Sequence, residues 1–539
     1  MKRTIVGAGL SALLFVSAPH AGAADPDIKA DAVKAHMTFL ASDALKGRDA
    51  GSPEYEIAAE YVASRFLGWG LKPIGEGGTY FQDVTLRSVV RDIEEGSVRV
   101  GKRRRGKMKV PAEVLPSASA LYAESEAKGE VVFVGYGISA PELGYDDYEG
   151  LDVEGRIVAY VRGYPEEMLA SDIGAHLSGG GEVAKTAGEK GAIGLITLWT
   201  PKMERRWSYD RLVRSASRSS MTWVGPDGKA DVSSPALQAN AVFSQDAAAE
   251  LFEGAETSFE EIAAAVDEGA PLQGFALGKQ VRIRQKSEQT DVVSRNVMAV
   301  LEGSDPVLKN EYVVLTAHLD HIGLSQTVDG DNINNGAMDN AAGVATMLEA
   351  AHAFVHSGER PKRSIIFLAV TAEEKGLLGA EYWTNNPTVP IENVVANVNL
   401  DMPVLLYDFE DVVAFGAERS SLGPITERAA GKLGVALSPD PMPEQNLFVR
   451  SDHYRFVQKG IPSVFLMTGF AGEGERIWGE FFAQHYHKPS DEVDNPIVWE
   501  AGAKFAKINY LIAREIANAD ERPAWNEGDF FGDLYGADR

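Results

Sequence analysis

Residues 364 to 374 read Ser364-Ile-Ile-Phe-Leu-Ala-Val370-Thr-Ala-Glu373-Glu374. An unbroken apolar run of this length, without polar alternation, is a strand buried on both faces, and such strands belong to mostly parallel sheets covered by helices. Outward from it the pattern repeats. Strands are expected at Val297 to Leu301, Tyr312 to Ala317, Val394 to Leu400, Val412 to Phe415 and Ser463 to Met467. Helices are expected between them, at Ala341 to His356, Leu377 to Asn385, Ile425 to Leu433 and Glu500 to Ala517. The fold class is α/β, a mostly parallel twisted sheet sandwiched by helices.

Polar residues gather where these strands end, which in open α/β sheets is where sites form. Tyr312 to Ala317 runs into His318-Leu-Asp320-His321, Ser364 to Val370 into Glu373-Glu374, and Val394 to Leu400 into Asp401. Asp339 precedes the helix near Ala341, and His485-Tyr-His487 follows the last strand by about twenty residues. Carboxylates crowded at one sheet edge repel unless divalent cations reverse the sign. The count suits two metals about 3.5 to 4 Å apart. Asp339 bridges, His318 and Asp401 complete one ion, and Glu374 and His487 complete the other. Asp320 is expected to hold the far nitrogen of His318. Glu373 is left as general base.

The chain has 539 residues, no cysteine, and 78 Asp+Glu against 52 Lys+Arg. Without thiols a metal site must use nitrogen and oxygen donors, and disulfide frameworks are excluded. A net charge of -26 opposes nucleic-acid or anionic-lipid partners. Lys2-Arg3, the apolar run Ile5 to Val16 and Ala21-Gly22-Ala23 read as a signal peptide cleaved after Ala23. The expectation is an exported protein, periplasmic or secreted, without stable membrane insertion after cleavage.

Five segments are expected: the signal at 1–23, a first part of the catalytic domain at 24–111, an insert at 112–275, the main catalytic domain at 276–520 and an acidic tail at 521–539. In the insert, Val131 to Val134, Ile157 to Val161 and Ile193 to Leu198 read as strands and Glu182 to Lys190 as a helix. Lys202 to Pro235 reads as a long surface loop, and Lys102 to Lys107 as a solvated hairpin turn. The tail carries Trp525, Phe530, Phe531 and Tyr535, and two outcomes are open for it, docking on the surface or staying mobile.

Taken singly, several residues have plainer readings. Asp339 could cap a helix, Ser451 or Asp452 could cap the helix that follows, and His352 and His356 lie on a helix face without an H-E-x-x-H motif. His321 reads as structural or as an outer imidazole. No G-x-S-x-G elbow occurs, which argues against an α/β-hydrolase.

The series His318-Leu-Asp320-His-Ile-Gly, Asp339-Asn-Ala-Ala-Gly, Glu373-Glu374-Lys-Gly-Leu-Leu-Gly, Asn399-Leu-Asp401 and Tyr486-His487-Lys-Pro-Ser-Asp491 resembles the dizinc aminopeptidase family of bacterial leucyl aminopeptidases. Glutamate carboxypeptidases, glutaminyl cyclases and the transferrin receptor are related to it. The stretch ending Lys46-Gly47-Arg48 looks like the opening of bacterial members, and residues 112–275 occupy the position of a protease-associated insert. The resemblance implies two zinc ions per chain, peptide substrates with a free N-terminus, Glu373 as base, His487 rather than His485 as ligand, and a cis Asp339-Asn340 bond. A carboxypeptidase or glutaminyl cyclase of the same fold, or a non-catalytic receptor-like binding protein, are the alternatives. Side-chain preference and oligomeric state are not legible in the sequence.

Overall fold

The computed structural model describes residues 26–101, 107–328 and 330–536. The expected signal peptide and most of the Lys102–Lys107 run lie outside the described residues.

The seven residues Ser364–Val370 form a strand that is buried throughout. Its alternate residues serve two cores: Ile365, Phe367 and Ala369 face the core that holds helices Ala342–His356 and Trp499–Asn518, whereas Ile366, Leu368 and Val370 meet Ala380, Trp383 and Phe456 on the other side. Two-residue periodicity thus divides one apolar run between two helical layers. Strand Tyr312–His318 lies between Ser364–Val370 and Val394–Leu400, parallel to both, with Leu315 opposite Phe367 and Val398. Ser463–Thr468 continues the parallel set, and Asp411–Phe415 and Phe275–Leu301 close it on either side as antiparallel neighbours. Because the four central strands are parallel, their carboxyl ends share one edge.

The 27-residue strand Phe275–Leu301 runs through two sheets. Its last residues pair with Ser364–Val370, its middle pairs with Phe81–Arg91, and its first part pairs with Glu124–Phe133 of the insert. The insert sheet continues through Ile157–Val161, Gly194–Leu198, Ala239–Phe243 and Val114–Pro116. Ser97–Val100, outside the expected 112–275 span, also pairs with the long strand here.

Lys202 to Pro235 departs from the expected loop. Helices Pro201–Arg206 and Tyr209–Arg214 occupy its start, and Ser220–Trp223 pairs with Phe81–Arg91. Each helix is a turn and a half, too short for a visible period, and is set by its own caps, Thr200 and Ser208. The tail docks: Phe530–Tyr535 is helical, Phe531 is buried, and the Trp525 indole donates to the Gly460 carbonyl at 2.9 Å. Among the described residues no helix is long and apolar enough to cross a membrane.

Candidate metal centre

His318 ends its strand, and Asp401 directly follows the neighbouring strand Val394–Leu400, so parallel register brings the two together. Nε2 of His318 lies 3.2 Å from Oδ1 of Asp401 and 3.2 Å from Oδ1 of Asp339. The other oxygen of Asp339 lies 3.2 Å from Nε2 of His487, which is in turn 3.2 Å from Oε2 of Glu374. One carboxylate therefore faces two donor groups, one oxygen to each.

His321 joins the second group. Its Nδ1 lies 2.7 Å from Oε1 of Glu374 and 4.0 Å from Oδ2 of Asp339. Ligand atoms of His318, Asp339 and Asp401 all fall within 4.8 Å of one another, as do those of His321, Asp339 and Glu374. Oε1 of Glu374 and both ring nitrogens of His321 are buried and, despite the 2.7 Å approach of Nδ1 to Oε1, none has a partner in hydrogen-bond geometry. A carboxylate and imidazole set without hydrogen bonds is costly in the interior and fits a cation that would satisfy it. The donors, all nitrogen and oxygen, suit a borderline divalent metal such as zinc.

His485 faces elsewhere, its Nδ1 lying 3.0 Å from the Ser490 carbonyl. Asp320 acts differently from the expectation. Its own carbonyl lies 3.1 Å from Nδ1 of His318, closer than its carboxylate at 3.9 Å. The carboxylate instead accepts the backbone N–H groups of Glu373, at 3.1 Å, and Glu374, at 3.3 Å. It thereby fixes the turn that presents both glutamates, because two adjacent N–H groups bracket its two oxygens.

The turn does not open a helix, which starts later at Leu378. Asp339 does not cap one either, since the helix Ala342–His356 is preceded by Ala341. The Asp339-Asn340 peptide is cis. The Asn340 amide donates to the Leu400 carbonyl at 3.0 Å, and its oxygen accepts the N–H of Gly343 and of Met402. Gly343 is required here, because a Cβ would lie 2.1 Å from that oxygen and 2.3 Å from the Leu400 carbonyl. Left-handed backbone recurs at the site: Ala372 has φ 54°, Met402 φ 47° and His487 φ 57°. Such conformations cost about 1 to 3 kcal/mol each for residues other than glycine and persist where surrounding structure imposes them.

Several supporting residues had a different reading from sequence, or none. Ser451 does not cap a helix; its hydroxyl donates to Oδ2 of Asp401 at 2.5 Å and accepts from the Asn399 amide at 2.8 Å. Asp491, fully buried, accepts the N–H of Met338 and of Asp339. Asn399 and Asp491 stand inside the quoted motifs, which was the available signal. Arg48 is 1% exposed and donates to the carbonyls of Leu40, Leu319, Asn335 and Gly336, joining the segments on either side of His318 and Asp339. Gly47 beside it has φ 74°, and a Cβ there would lie 2.4 Å from the Asn334 carbonyl.

The electrostatics follow from burial against pairing. Burial opposes protonation of His318, but Asp401, Glu373 and Asp339 outweigh it and hold the imidazole well above its ordinary range. Burial also opposes ionisation of Asp339, yet His318 and His487 hold it well below. Glu373, lining the cleft, is pushed well above the usual carboxyl range by desolvation, with His318 opposing and Glu374, Asp401 and Asp452 adding to it. The cleft is also lined by Met402, Leu447, Arg450, Phe465, Met467 and Tyr486.

Residues 296–513 match the family model of Peptidase family M28. A probable zinc metalloprotease of Pyrenophora teres f. teres (strain 0-1) is 39% identical over 107 residues, covering 20% of this chain and 22% of that protein. A probable leucine aminopeptidase 2 of Aspergillus oryzae (strain ATCC 42149 / RIB 40) is 28% identical over 228 residues, covering 39% of this chain and 42% of that protein. The chain thus spans less than half the length of these curated relatives. An aminopeptidase from Aneurinibacillus sp. strain AM-1 shares the fold, with a TM-score of 0.50 and 19% identity over 92% of this chain and 96% of that one.

Proposed function

We propose that the protein, whose residues 296–513 match the Peptidase family M28 model, is an exported metallo-aminopeptidase with two zinc ions, cleaving the first peptide bond of peptides. The observation that carries this is the Asp339 carboxylate, with one oxygen toward His318 and Asp401 and the other toward His487 and Glu374. When bound, zinc supplies Lewis acidity toward the scissile carbonyl and lowers the pKa of water.

The chain's own residues do the rest. Glu373 stands in the cleft beside both donor groups, with a carboxyl held by its enclosed position above the usual range. It accepts a proton from the attacking water and returns it to the leaving amine, so that amide cleavage releases two neutral products. Asp320 holds the Glu373 N–H and thereby aims that carboxylate. Met402, Leu447, Phe465 and Met467 form an apolar wall that excludes water and receives the side chain of the first residue. Lys2-Arg3 followed by the apolar run and Ala21-Gly22-Ala23 supports export.

The test is the zinc-loaded protein against a panel of aminoacyl anilides and N-acetylated peptides, with chelator and with Glu373→Gln. Expected are cleavage of anilides with apolar first residues, no cleavage of acetylated peptides, and a loss in kcat of about 10² to 10⁴ in the variant at unchanged zinc content. Activity that survives either chelation or Glu373→Gln refutes the mechanism. Preferential cleavage of acetylated peptides refutes the aminopeptidase assignment and favours a carboxypeptidase.

A further inference from the structure

Arg450 is the single lysine or arginine among the residues lining the cleft. It directly precedes Ser451, whose hydroxyl is bonded to Asp401, so its backbone is anchored beside the first donor group. Among the described residues no carboxylate lies within ion-pair distance of its guanidinium, which donates to the Gln445 carbonyl at 3.2 Å. A guanidinium offers five N–H donors in a fork that matches a carboxylate. Arg450 is exposed, so its remaining donors face solvent at the cleft and are open to a ligand.

We infer that Arg450 receives a carboxylate of the substrate on the leaving-group side of the scissile bond, either the C-terminal carboxylate of a dipeptide or the acidic side chain of a second residue. This rests on the aminopeptidase reading above. The leaving-group side follows from the lining: the first residue's side chain meets the apolar wall of Met402, Leu447, Phe465 and Met467, where an acidic group would be desolvated without a partner. The lining brings the carboxylates Asp339, Glu373 and Asp401 into one cleft with a single cation, Arg450, so it holds partners for both the ammonium and the carboxylate of a short peptide.

The experiment compares kcat/KM of the zinc-loaded enzyme for Leu-Leu as free acid, Leu-Leu-amide, Leu-Glu-amide and Leu-Leu-Leu as free acid. A charge-assisted hydrogen bond corresponds to roughly tenfold or more in preference. The wild type is expected to favour Leu-Leu acid or Leu-Glu-amide over Leu-Leu-amide by at least that factor. In Arg450→Gln the ratio is expected to fall to near one, and in Arg450→Lys to stay between the two. A preference for Leu-Leu acid alone identifies the terminal carboxylate, and one for Leu-Glu-amide alone the acidic side chain. A wild-type ratio near one, or one that persists in Arg450→Gln, overturns the inference, as does an Arg450-dependent preference for glutamyl over leucyl anilide. Calorimetric titration with a Leu-Leu analogue whose scissile amide is reduced, as free acid and as amide, reads the same ratio without turnover. Tighter binding of the acid with no turnover by any substrate would keep the Arg450 assignment and refute the peptidase reading. Turnover with equal binding of acid and amide would do the reverse.

Discussion

Replacing Arg48 by methionine tests whether a buried cation outside the expected ligand set holds the site together. Methionine keeps most of the side-chain stem, so the change chiefly deletes hydrogen bonds and charge. Four carbonyls lose a donor, but that of Gly336 keeps the Ala341 N–H at 3.1 Å, which leaves Leu40, Leu319 and Asn335. Bonds to a charged donor contribute about 1.5 to 3 kcal/mol each, giving a loss of about 5 to 9 kcal/mol. Against this, burial pushes the guanidinium from 12.5 down to about 10 even with Asp320, Asp491, Asp339 and Glu374 nearby. That penalty on the charged form, relieved in the variant, is about 3 kcal/mol. The hydrogen bonds win, and Arg48→Met is expected to destabilise the protein by about 2 to 6 kcal/mol. The loss should be larger in chelator than in zinc, because without cations Asp320, Asp491, Asp339 and Glu374 depend more on the Arg48 charge. Urea unfolding of wild type and variant, with and without zinc, measures this as a shift in midpoint at constant slope. A loss below about 1 kcal/mol in chelator would falsify the account, and one that is larger in zinc would contradict the electrostatic part.

Two further outcomes follow from the same site. In the metal-free protein, burial works against the His487 imidazole, but Asp339 and Glu374 raise it to about 9 from 6.5. A folded-state pKa raised above the unfolded value contributes stability that is complete below about pH 6.5 and is lost as pH rises through about 9, so the melting temperature in chelator should fall across that window. Zinc competes with those protons, so the zinc-induced rise in melting temperature should grow over the same range; a rise independent of pH would exclude His487 as a ligand. Asp491→Asn should leave one of the Met338 and Asp339 N–H groups without an acceptor, costing about 1 to 3 kcal/mol and weakening zinc binding, checked by urea unfolding and by zinc titration; unchanged affinity would remove Asp491 from the site's support.

Much of the centre was legible because strand ends are legible. An apolar run stops where its parallel sheet stops, so the polar residue that follows lies at the common edge, as His318 and Asp401 do. The helices Ala342–His356 and Trp499–Asn518 likewise agree with their apolar periodicity to within a residue. Short elements were not legible. Pro201–Arg206 and Tyr209–Arg214 carry no period, and Ser220–Trp223 is a strand because Phe81–Arg91 lies beside it.

What the sequence by itself determined is therefore local: which runs are doubly buried, which polar residues stand at their ends, and that a cysteine-free chain must bind metal through imidazole and carboxylate. What only the tertiary structure decided is how groups far apart in the chain divide their work. It directs one oxygen of Asp339 to each donor group, turns His485 away toward Ser490, and gives the Asp320 carboxylate to the Glu373-Glu374 turn instead of to His318. It also brings Arg48, from the loop before helix Pro53–Gly68, to the segment after His318, about 270 residues away in sequence. The reason is physical. Periodicity reports the burial of a residue's own segment, whereas a hydrogen bond or a shared cation depends on the positions of two or more segments, which only packing brings together.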